Sequence, residues 1–175
     1  MKSIEERMSG YAAYHQNYWC RATHFLGVPM VYYAPLIALG WLRFNVGPVE
    51  ISLAVIVFAA MMIWYFAMDW QLATVMTLIS LPIVYATELA AQLPFEQSLA
   101  IFLAVKLGGW VIQLVGHVFE GRRPALVDNF LQALMAPLFL IAEVQFALGF
   151  RKKLEADVEE RVARHRFPEQ IAKEA

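Results

Sequence analysis

The run ISLAVIVFAAMMIWYFAMDWQLATVMTLISLPIVYATELAA, residues 51–91, holds Asp69 and Glu88 as its only charged side chains. The polar break at residues 69–71 divides it into two apolar stretches, 51–68 and 72–91. Each approaches the roughly 20 residues a helix needs to cross a hydrocarbon core. Residues 25–42 and 99–118 have the same character. The links are short and carry turn formers: Asn45, Gly47 and Pro48 in one, Pro94 in another. Short links make successive helices antiparallel. The pattern predicts an all-α, polytopic membrane helical bundle with four transmembrane helices.

The segment 126–150 is apolar too, but it carries Asp128, Asn129, Gln132, Glu143 and Gln145 around Pro137. Charge at membrane depth is costly and normally faces a bundle interior or cavity. The segment reads as a re-entrant or interfacial helical hairpin. Beyond it, Asp157 and Arg161, then Glu160 and Arg164, sit four apart, the spacing of an exposed soluble helix. Residues 1–150 are therefore expected to form one membrane-embedded domain, and 151–175 a soluble C-terminal helix and tail.

Composition agrees. Of the 175 residues, 60% are hydrophobic and 17% charged, against about 45–50% and 25% in soluble domains. A net charge of -1 argues against a nucleic-acid partner. The lone Cys20 excludes an internal disulfide framework and a Cys-rich zinc site. The start of the chain, polar and aromatic, does not read as a cleavable signal peptide. Lys2, Arg7 and Arg21 precede the first span, Arg122 and Arg123 follow the fourth, and Arg151, Lys152 and Lys153 follow the fifth segment. With four crossings all three clusters fall on the cytoplasmic side, which the positive-inside tendency favours. The expected location is an integral membrane one, inner membrane in a bacterium or endoplasmic reticulum in a eukaryote, with both termini cytoplasmic.

That topology brings His24, at the start of the first span, and His117, at the end of the fourth, to one depth. His15 joins them only if the chain bends near Tyr18 or its ring folds back over the mouth, because nine residues of straight helix would put it on the opposite face from His24. Gln113, His117 and Glu120 share one helical face. A histidine and a glutamate at i, i+3 can offer a nitrogen and a carboxylate to one ion, a donor set suited to iron, zinc or nickel. The plainer readings are that a histidine at the interface bonds a carbonyl, that Gln113 and Glu120 satisfy polar groups within the bundle, and that Glu143 pairs with Arg122 or Arg123. His165, in the tail, reads as solvated, and Met61, Met62, Trp64 and Phe66 as packing or lipid-facing surface. The span centres are nearly free of charge, which disfavours a transporter, since transport needs polar groups at mid-membrane.

Tyr14-His15-x-Asn17, His24-x-x-Gly27-x-Pro29, Gln113-x-x-Gly116-His117-x-x-Glu120-x-x-x-Pro124-Ala125-Leu126, then Asp128-Asn129, Ala136-Pro137 and Glu143 resemble the 2-hydroxy fatty acid dioxygenase (Mpo-like) family. The likeness runs from about residue 8 to residue 150. Cys20 stands where asparagine is expected in many members. The resemblance implies a membrane-embedded Fe(II) dioxygenase that shortens 2-hydroxy fatty acids by one carbon in α-oxidation. Its partners would be membrane lipid, a long-chain 2-hydroxy fatty acid and dioxygen. It makes His15, His24 and His117 metal-ligand candidates. Glu120, Glu143 and Gln113 are then catalytic candidates, the two glutamates to orient a histidine, complete the ligand shell or move a proton. Arg122 and Arg123 are candidates to hold the substrate carboxylate. The alternative is a metal-free lipid-binding or scaffolding membrane protein.

Overall fold

Ser3 caps the first helix: its Oγ accepts the Glu6 N–H. A computed structural model describes residues 3–121 and 130–165, with side chains for 3–121 and 133–162. Helix α1 (Ile4–Tyr14) stops at His15. Asn17 then starts α2 (Tyr18–Gly40), its Oδ1 accepting the N–H groups of Trp19 at 2.8 Å and Cys20 at 3.3 Å. There follow β1 (Arg43–Val46), β2 (Val49–Ser52), α3 (Leu53–Met68), α4 (Trp70–Ala91), α5 (Phe95–Glu120), α6 (Phe130–Ala147) and α7 (Lys152–His165). The fold is all-α apart from one small hairpin.

Among the described residues three helices, α2, α4 and α5, are long and apolar enough to cross a membrane. Large apolar side chains stand exposed along them, among them Leu78, Tyr85, Leu107, Val111 and Val118. So much exposed apolar surface is a membrane-facing pattern. The expected span over 51–68 is shorter than the sequence pattern implied. Ser52 caps α3, its Oγ accepting the Val55 N–H, and Asp69 both ends α3 and caps α4 by accepting the Leu72 N–H at 2.9 Å. The 16 residues between rise about 24 Å, less than the ~30 Å hydrocarbon core.

The link over 43–50, read as a plain loop, is an antiparallel hairpin that takes in Ile51 and Ser52 as well. Arg43 pairs with Ser52 and Val46 with Val49. Gly47 has φ 62°, and the ring of Pro48 fixes a negative φ after it, the pattern of a type II′ turn.

The chain packs as two compact units, residues 1–22 with 114–175, and residues 23–113. In the first, α1 packs against α6 and α7. Leu154, Val158 and Val162, four apart on α7, are buried. Arg161 of α7 lies 3.7 Å from Glu6. The helix expected to be simply soluble is thus amphipathic and docked. Between α6 and α7 the path turns through 117°, with Gly149 and Arg151 both at positive φ. The described part of the 126–150 segment is a single helix from Phe130. Arg122, Arg123, Asp128 and Asn129 lie outside the described residues, as do the side chains of Gln132 and His165.

In the second unit, α2 meets α5 through glycine. A Cβ on Gly109 would stand 2.7 Å from the Met30 Cβ, and one on Gly27 would stand 2.7 Å from Gln113 Cγ. Small residues at such crossings let two backbones approach closely. Pro35 lies inside α2 and has no N–H for the carbonyl of Val31 four residues earlier. Lys106 of α5 supplies the donor, its Nζ 3.1 Å from that oxygen. At the hairpin, Glu88 accepts from Arg43 at 3.1 Å and from the Ser52 hydroxyl.

Candidate functional site

The break between α1 and α2 is the bend that the histidine spacing called for. His15 occupies the C-cap of α1 with φ -129° and ψ 68°, a conformation that leaves the helix and turns its ring back along it. His15 Nδ1 lies 2.9 Å from the carbonyl oxygen of Tyr11. A carbonyl only accepts, so Nδ1 carries the proton. A neutral ring with that proton has its lone pair on Nε2, the arrangement that metal-ligating histidines adopt.

The His117 ring, from the end of α5, lies 5.3 Å from that of His15, tilted by 56°. Cys20, on the first turn of α2, has its Sγ within 4.8 Å of a His15 ring nitrogen. His15 and His117 are only 4% and 5% exposed, and Cys20 is fully buried. His24 follows Cys20 by four residues on α2, hence on the same helical face, and is also buried. It belongs to the unit of residues 23–113, as does Gln113, whose side chain lies over Gly27. The sequence reading of Cys20 stopped at its being a lone cysteine and a departure from the family pattern, but a cysteine one helical turn before a histidine is a donor signal in its own right.

The two glutamates are engaged. Glu120 Oε2 accepts the backbone N–H of Asn17 at 2.7 Å and the carboxylate hydrogen-bonds Cys20. It thus ties the end of α5 to the start of α2 just beyond His15. Glu143, buried on α6, pairs with Arg21 at 2.5 Å. Arg21 is its ion-pair partner among the described residues; Arg122 and Arg123, the partners that the plainer reading offered, lie outside them.

Tyr11 was not anticipated at all. Its ring stacks on His15 with centroids 4.2 Å apart and packs at 5.0 Å against Phe139. Burial, reinforced by the negative charge of Glu143 and then by Cys20, holds its phenol well above the usual tyrosine range, so it stays protonated at neutral pH. Two buried imidazoles, a thiol and oriented carboxylates are a donor set compatible with a transition metal.

Residues 1–148 match the family described as 2-hydroxy-palmitic acid dioxygenase Mpo1-like. Over 70 residues, 39% of this chain, the sequence is 49% identical to a Saccharomyces cerevisiae protein named 2-hydroxy-palmitic acid dioxygenase MPO1. That alignment covers 38% of the yeast protein's length. No solved structure matches.

Proposed function

The chain belongs to the Mpo1-like family, and from that premise we propose that it is a membrane-embedded Fe(II)-dependent dioxygenase that shortens long-chain 2-hydroxy fatty acids by one carbon. The overall change balances with dioxygen as the only co-substrate: the bond between C1 and C2 breaks, C2 becomes the carboxyl of the shorter acid, and carbon dioxide and water leave. In this reading His15, His24 and His117 hold the iron. The observation that supports it is the burial of His15 beside His117 and Cys20, with His15 Nδ1 bonded to the Tyr11 carbonyl so that Nε2 would be the ligating atom. Bound iron would supply a centre with open positions where a hydroxy acid and dioxygen meet.

The protein's own groups set the stage for that chemistry. Glu120 orients the turn that carries His15, by holding the Asn17 amide. Gln113 and Glu143 act beside the reacting head group, and Arg122 or Arg123 binds its carboxylate by charge-assisted hydrogen bonds. The acyl tail stays among apolar helices and lipid, contributing affinity of about 0.8 kcal/mol per buried methylene. The proposal includes the full topology: four crossings with α3 as the short one, a re-entrant or interfacial segment over 126–150, and both termini cytoplasmic. Residues 1–150 form the membrane domain and 151–175 the tail, in an inner membrane or endoplasmic reticulum.

Metal analysis of detergent-purified protein tests the site. Iron should be bound at about one per chain, and His15→Ala, His24→Ala and His117→Ala should each lose most of it, while His165→Ala keeps it. Full occupancy in His24→Ala would remove His24 from the ligand set. Background metal in the unaltered protein would favour the lipid-binding scaffold instead.

A further inference from the structure

Tyr11 is 3% exposed, and its hydroxyl has no hydrogen-bond partner among the described residues. Its ring is fully used, stacked on His15 and packed on Phe139. Phenylalanine would make the same ring contacts without burying an unsatisfied hydroxyl, which costs free energy. Among the described residues nothing offsets that cost. Tyr11 also stands in a particular place. Phe139 precedes Glu143 by one turn on α6, and the Arg21 that pairs with Glu143 follows Cys20 directly. The ring that carries the hydroxyl therefore stands against the candidate ligand His15, near the Arg21–Glu143 pair.

Resting on the function proposed above, we propose that the Tyr11 hydroxyl donates a hydrogen bond to the head group of the bound 2-hydroxy acid, making Tyr11 a substrate-contacting residue of the site. A protonated phenol is a donor that a carboxylate or hydroxyl oxygen accepts well, and a charged acceptor strengthens the bond. The rigid stack on His15 fixes the direction of the hydroxyl relative to that ring. A head group that reaches His15 then meets a phenol whose direction is already set.

The test uses full-length protein and its Tyr11→Phe variant in nanodiscs. Metal content, melting temperature and equilibrium binding of 2-hydroxypalmitate and palmitate are measured on the same samples. The variant should keep its metal, melt no lower than the parent without ligand, and bind 2-hydroxypalmitate about ten- to hundred-fold more weakly. An equal loss with palmitate puts the bond on the carboxylate; a loss confined to the hydroxy acid puts it on the 2-hydroxyl, and either upholds the proposal. Equal affinity in the two proteins overturns the role of Tyr11 while leaving the proposed function intact. Failure of the unaltered protein to bind either acid overturns both. A lower melting temperature for ligand-free Tyr11→Phe also overturns the proposal, because the hydroxyl would then have a partner in the resting protein.

Discussion

Pro35 and Lys106 show how one residue's deficit explains another's position. A lysine halfway along an apolar helix is costly in lipid, yet here its ammonium replaces the backbone donor that Pro35 lacks. Lys106→Met should therefore destabilise the protein by about 1–3 kcal/mol, the cost of a carbonyl left unsatisfied. In a Pro35→Ala background, where the helix supplies its own N–H to Val31, that penalty should shrink; a double-mutant cycle on denaturation in detergent reads the difference. An unchanged penalty would mean that Lys106 acts elsewhere. Glu120 poses a similar question at the site. Glu120→Ala should weaken metal binding about 10- to 100-fold by releasing the turn after His15, and Glu120→Gln should recover much of the loss by still accepting the Asn17 amide. If the two variants bind metal alike, the carboxylate's charge matters and not its hydrogen bonds. Along the chain, histidine types and spacing pointed to the site region. The Arg21–Glu143 pair and the Tyr11–Phe139 contact join residues more than a hundred positions apart, and nothing in their local sequence marks them.

At the scale of elements, hydropathy located the apolar helices well because lipid imposes one rule along each of them. It lengthened α3 because Ile51 is apolar in a strand as in a helix. The four-residue strands are also too short for their alternation to stand out beside a long apolar run. Helix α7 looked solvated because the i, i+4 charges dominate its sequence. Its stripe of Leu154, Val158 and Val162 has the same spacing and seats it on α1. Val158→Asp would bury a charge in that contact and should cost more than about 3 kcal/mol locally. Limited proteolysis should then cut readily after Arg151, Lys152 or Lys153, sites protected in the parent protein. Equal cleavage of both proteins would show that α7 is not held by this face.

At the scale of the whole molecule, composition alone led to a membrane protein, and three helices of spanning length agree with it. The number of crossings was not legible to the same degree. It turns on a 16-residue helix and on a segment whose polar residues surround a proline. The proposed chemistry rests on family membership together with a buried imidazole whose Nδ1 is bonded to the Tyr11 carbonyl. The most direct measurement is of the reaction. Protein purified anaerobically and loaded with Fe(II) is given 2-hydroxypalmitate and dioxygen, and products and oxygen uptake are followed by mass spectrometry and an oxygen electrode. The account predicts the saturated acid one carbon shorter, one dioxygen consumed per acid, and no turnover of palmitate, which lacks the second head-group oxygen. No product and no oxygen uptake from protein with iron demonstrably bound would contradict it.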